Sequence, residues 1–256
     1  MRTLITTILA GLALAAGAVH AAPAPAQVVQ IFGCTLNDGQ TQDNVWALTD
    51  ALSANAATQE NSDAAFGLFL WVPYRGATPY DFAFGVLSSD LNSMAAGNAS
   101  YAASAGAAAI GARFQTLAGC DSAIMTSDQL SDGTIGMSGG DRTPDAVVET
   151  FSCSINDGSD MDDVDAAVKF WQGQIDKIDS AALKNYQAYQ WTPLRGGTGA
   201  DFVWVGNYSD LGNWANGTSD YMNSAAGQAA DARFERVSTC TSQMWMGYWL
   251  VAPKEF

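Results

Sequence analysis

The chain states one pattern twice, and this repetition limits its possible folds more than any other feature. Cys34-Thr35-Leu36-Asn37-Asp38-Gly39 returns as Cys153-Ser154-Ile155-Asn156-Asp157-Gly158. Trp71-Val72-Pro73-Tyr74-Arg75-Gly76 returns as Trp191-Thr192-Pro193-Leu194-Arg195-Gly196, and Asp81-Phe82 as Asp201-Phe202. Ser89-Asp90-Leu91, Ala112-Arg113-Phe114 and Cys120 return as Ser209-Asp210-Leu211, Ala232-Arg233-Phe234 and Cys240. The second copy follows the first by 119 residues at the leading cysteines and by 120 from the tryptophans on, so one residue is gained between. A unit of about 100 residues is the size of one small domain, and its duplication predicts two like halves.

Met1-Arg2, the apolar run Leu4 to Val19 and the small-x-small triplet Val19-His20-Ala21 predict a secretory signal over residues 1–21. The expected compartment is therefore periplasmic or secreted. The single histidine, His20, falls inside that signal, so the expected mature chain has no imidazole for acid–base work or for metal. No metal and no cofactor are expected. The chain carries 26 acidic against 11 basic residues, a net charge of −15, which makes nucleic acid and anionic membranes poor partners. Four cysteines in an exported chain point to two disulfides and leave three pairings open.

Each copy reads as the same series of elements. Val28 to Leu36 is rich in β-branched and aromatic residues and predicts a strand, Asn37-Asp38-Gly39 a turn, and Thr41 to Ala54 a helix with Val45, Leu48 and Leu52 on one face. Phe66 to Val72 and Asp81 to Leu87 predict a hairpin, matched by Tyr186 to Thr192 and Asp201 to Gly206. A short helical turn capped by Ser89-Asp90 and interrupted at Gly97 is expected next. A longer helix over Tyr101 to Leu117 follows, with Tyr221 to Val237 as its counterpart. Last strands are expected over Ser122 to Thr126 and Gln243 to Val251. In copy two, Ser159 with Asp162 resembles a capping box. The expected boundaries are a first repeat over 27–127, a Gly-, Ser- and Asp-rich linker over 128–145 and a second repeat over 146–253.

The order β-α-β-β-α-β, twice, is the split-βαβ pattern of ferredoxin-like units. There the first and last strands are antiparallel neighbours. The end of the first strand then lies beside the start of the last, which favours Cys34 with Cys120 and Cys153 with Cys240.

One such sheet leaves a face open, and two copies can pack their open faces together. Trp71, Phe82, Phe84, Trp191, Phe202 and Trp204 supply aromatic area for that interface. On this topology and length, the chain resembles the dimeric α+β barrel superfamily, fused in tandem. The resemblance implies an α+β fold in which two ferredoxin-like repeats form a single-chain barrel. It includes cofactor-free monooxygenases, haem-binding enzymes and small-molecule-binding proteins.

The candidate binding residues are the turn pairs Asn37, Asp38 and Asn156, Asp157, the strand tryptophans Trp71, Trp191 and Trp204, and Arg75 and Arg195. The turn residues also fit plain turn chemistry, and each arginine could instead pair with Asp81 or Asp201 across the hairpin loop. Trp245 and Trp249 lack counterparts in copy one and direct attention to the second half. No residue is assigned a catalytic role. The expectation is an exported, disulfide-stabilised protein that binds a small apolar or aromatic molecule, or a protein partner, without catalysis. The alternative is a cofactor-independent oxygenase or isomerase of the α+β barrel type.

Overall fold

The computed structural model describes residues 27–57, 66–133, 135–136, 142–197 and 199–252. The signal predicted over residues 1–21, with His20, lies outside the described residues. The first copy contributes β1 (Gln27–Leu36), α1 (Gln42–Ala57), β2 (Phe66–Arg75), β3 (Phe82–Ser88), α2 (Leu91–Ala103), α3 (Ala107–Leu117) and β4 (Ala118–Gln129). The second contributes β5 (Ala146–Ile155), α4 (Met161–Ile175), α5 (Ala181–Lys184), β6 (Gln187–Arg195), β7 (Phe202–Tyr208), α6 (Leu211–Asn223), α7 (Ala225–Val237) and β8 (Ser238–Val251).

The strands form one closed antiparallel barrel in the order β1-β3-β2-β8-β5-β7-β6-β4. Each repeat supplies four neighbouring strands. The two sheets join where β2 pairs with β8 and β4 with β6. The expected α+β barrel is therefore present, with helices packed on its outside. Both predicted disulfides form, Cys34–Cys120 and Cys153–Cys240. In each case the register puts the two cysteines directly opposite one another on paired strands.

Barrel strands here are dry on both faces, because side chains alternate between the barrel interior and the helix layer. Val29, Phe69, Trp71, Met125, Val148, Trp191, Val203 and Trp245 fill the interior. Phe82 and Phe84 instead pack under the helices of repeat one, and Phe202 and Trp204 under those of repeat two. The predicted interface of six aromatics is thus corrected: only Trp71 and Trp191 of that set lie between the two sheets. Phe82, Phe84 and Val86 do share a face, as their spacing required, but it is the outer one.

Three local expectations change. The helix break falls at Ser104 to Gly106, not at Gly97, so α2 runs through Gly97. Ser104 and its counterpart Ser224 take extended backbone angles that end the helix. The capping box belongs to Asp160 and Asp163, one residue beyond the predicted pair. The strand before the predicted linker extends to Gln129, and within that linker Ile135 is buried against the barrel interior.

No helix among the described residues is long and apolar enough to cross a membrane. Two disulfides suit an oxidising compartment.

Candidate active site

The predicted binding residues do not come together. Asn37 and Asn156 fasten the turn after the first strand of each repeat to the end of the following helix pair. Asn37 Nδ2 donates to the carbonyls of Gln115 and Thr116, at 3.1 and 2.9 Å. Asn156 Nδ2 donates to Glu235 O, and its Oδ1 accepts from Thr239. Asp38 and Asp157 are exposed in the same turns, ahead of Gly39 and Gly158, whose φ angles of 79° and 85° require glycine. Arg75 and Arg195 are exposed at the ends of β2 and β6. The expected pairing of these arginines with Asp81 and Asp201 is replaced: each aspartate accepts a backbone N–H at 2.7 Å, from Leu36 and Ile155.

Trp71 and Trp191 stack on each other inside the barrel, with centroids 5.4 Å apart and planes 6° from parallel. Trp191 Nε1 donates to Ser127, and Trp245 Nε1 to Thr150, so both buried indole N–H groups are satisfied. Two small voids of about 60 and 100 Å³ remain, and both have Trp71 and Trp191 in their walls. The barrel interior is thus mostly filled by side chains and leaves little room for a ligand.

The larger spaces lie outside the barrel, between each sheet and its helices, at about 350 Å³ each. Ordinary small-molecule pockets begin at about 300 Å³. In repeat two the walls are aromatic, and Trp204 is the one predicted binding residue among them. Trp171 meets Trp204 edge-on at 4.7 Å, and Phe234 meets it edge-on at 5.5 Å. Trp204 Nε1 donates to Tyr186 Oη at 2.9 Å. The Tyr186 phenol lies over Gly206, where any Cβ would collide with it.

Glu149 enters this pocket from the outer face of β5, between Val147 and Phe151. Its Oε2 accepts from Trp214 Nε1 on α6 at 3.2 Å. Burial raises its pKa above the ordinary carboxyl value, and the indole bond partly opposes that. Tyr221 donates to Asp231 at 2.9 Å near the pocket rim, and burial likewise raises Asp231. Tyr186, Tyr208 and Tyr221 are all pushed upward by burial, so their phenols stay protonated donors at neutral pH. Glu149 and Asp231 are the two carboxyls lining this pocket, and burial raises the pKa of both.

The side-chain oxygens lining the pocket belong to carboxyls, phenols and the Thr218 hydroxyl. Among the described residues no thiol is free, and no cluster of three or more His, Cys, Asp or Glu could hold a metal ion. This set does not fit a haem iron held through imidazole or thiolate.

Glu149 was missed in the sequence, although a signal existed. The matching register puts Gln30 of repeat one in its place. A lone carboxylate in a strand of Val, Thr and Phe, where the other copy is neutral, marks a position that folding did not require.

No family model matches the sequence, and no curated protein matches it in sequence. Solved structures share its fold. A candidate monooxygenase from Fusobacterium nucleatum aligns with TM-score 0.60 and 10% identity, over 90% of this chain and 99% of that one. An anthrone oxidase-like protein aligns with TM-score 0.53 and 12% identity, over 88% and 93%. A candidate chlorite dismutase aligns with TM-score 0.53 and 12% identity, over 88% and 94%. At these identities the likeness is one of fold, that of chlorite dismutase-like and monooxygenase-type α+β barrels.

The expectation of a binding protein without catalysis is corrected here. The structures similar to this chain carry dismutase, monooxygenase and oxidase names, and its second pocket has two carboxyls, Glu149 and Asp231, whose pKa values burial raises.

Proposed function

We propose that the chain is an oxygenase-type enzyme that takes a planar aromatic substrate into the pocket of repeat two, with Glu149 as the proton acceptor. The carrying observation is a half-buried carboxyl with a raised pKa in an aromatic wall, at the position where the otherwise parallel repeat has Gln30. The aromatic walls suit a multi-ring substrate, and the phenols offer neutral hydrogen-bond donors to an oxygen that gains charge. Support for the reaction class comes from the name of the anthrone oxidase-like protein that shares the fold.

Anthrone is a three-ring ketone with an acidic methylene. Transfer of one methylene proton to Glu149 leaves a delocalised carbanion. That carbanion reduces dioxygen, the oxidant. One oxygen atom becomes a new ring carbonyl and the other leaves as water, with both methylene hydrogens. Trp171, Trp204 and Phe234 would hold the rings, and Glu149 would face the reacting carbon.

The test is oxygen uptake with anthrone under air, corrected for the uncatalysed rate. A general base contributes about 10²–10⁴-fold, so Glu149→Gln should lose at least a hundredfold with folding intact. A Glu149→Gln protein as fast as the parent would overturn the assignment.

A further inference from the structure

Repeat one keeps a pocket of the same size, about 350 Å³, in the same place between sheet and helices. Part of its aromatic frame is preserved. Phe32 stands for Phe151, Phe114 for Phe234 and Tyr101 for Tyr221. The ionisable wall is not preserved: Gln30 replaces Glu149, and Gly111 replaces Asp231.

The space itself has a local cause. In repeat two the ring of Tyr208 fills the room beside Gly217, where an added Cβ would come within 2.8 Å of it. In repeat one Ser88 stands in place of Tyr208, and an added Cβ at Gly97 or at Gly111 meets nothing within 4 Å. Both glycines border the pocket. The first pocket therefore lacks the Tyr208 ring and both carboxyls, and its polar lining is neutral amide and hydroxyl groups.

We propose that the pocket of repeat one is a second ligand site, which holds an uncharged aromatic molecule and does not transform it. An anion entering it would lose its water among apolar walls with no cation to meet it, in a chain of net charge −15. A neutral ring system would bury its faces on Phe32, Phe84 and Phe114 and could bond to Gln30 or Asn98 at its edge. The site is independent of the reaction assigned to repeat two, and binding and turnover are read separately.

The test is a fluorescence titration of the full chain with N-phenylnaphthylamine, an uncharged dye that brightens in apolar surroundings. Gly111→Leu would put a side chain into the open pocket while improving an interior helix position. It should remove one binding phase, or weaken it at least tenfold, without lowering Tm and without loss of anthrone turnover. Gln30→Glu, nearly isosteric, should bind the dye as the parent does at low pH and progressively less as pH rises. Titrations of both variants that superimpose on the parent would overturn the proposal, since the dye would then sit elsewhere. Absence of any dye binding by the parent would overturn it too.

Discussion

Trp71 and Trp191 occupy the same position in the two repeats and lie face to face inside the barrel, their rings 5.4 Å apart. A contact between equivalent residues is what a two-fold relation between like halves produces. Truncating either leaves a cavity against the face of the other. Trp71→Ala should cost about 3–5 kcal/mol by urea denaturation. The double variant with Trp191→Ala should cost clearly less than the sum of the singles, because the pair shares one cavity.

The indole of Trp214 reaches Glu149 from α6, a helix outside the sheet that carries the carboxyl. Its bond favours the charged carboxylate, so its removal should raise the pKa of Glu149 further. Trp214→Phe should shift the acid limb of the kcat/KM profile with anthrone to higher pH. An unmoved limb would detach Glu149 from the rate.

The same carboxyl predicts a trend in stability. With its pKa raised on folding, Glu149 holds its proton more tightly in the native chain than in the unfolded one. Its contribution to stability is then full below the ordinary carboxyl pKa and is lost as pH rises through the raised value. Glu149→Gln should flatten that part of the stability curve, measured as Tm from about pH 4 upward. An identical slope in parent and variant would contradict the burial argument.

The disulfides span 86 and 87 residues of sequence. On the loop-entropy account each contributes about 4–5 kcal/mol. Cys153 and Cys240 also border the pocket of repeat two, whereas Cys34 and Cys120 do not border that pocket. Replacing Cys34 and Cys120 together by Ala should lower Tm and leave KM for anthrone unchanged. The same change at Cys153 and Cys240 should lower Tm and raise KM.

The fold was largely legible because its instructions are local and were given twice. Strand runs, turn glycines and the cysteine spacing all agree with one topology, and the cysteine register followed from it. Which way the aromatics face was not legible. Alternation places Phe82 and Phe84 on one side of β3, but a barrel wrapped in helices buries both sides, so no polar partner residue marks the outer face. The site was obscured for a related reason. Features shared by the copies, such as Asn37 and Asn156, proved to hold the turns in place. The buried ionisable groups on which the proposed function rests lie where the copies differ, at Glu149 against Gln30 and Tyr208 against Ser88.

The sheet closes only because each repeat lends two edges to the other, β2 to β8 and β4 to β6. Separated halves would each expose both edges and the indoles between them. A proteolytic nick between β4 and β5 would therefore leave two fragments that still travel as one particle. Joined by a peptide, the halves meet at an effective concentration fixed by the chain and not by the solution. Assembly that would be a dimer equilibrium for unlinked halves becomes insensitive to dilution, so a few molecules in a large volume fold as completely as many in a small one.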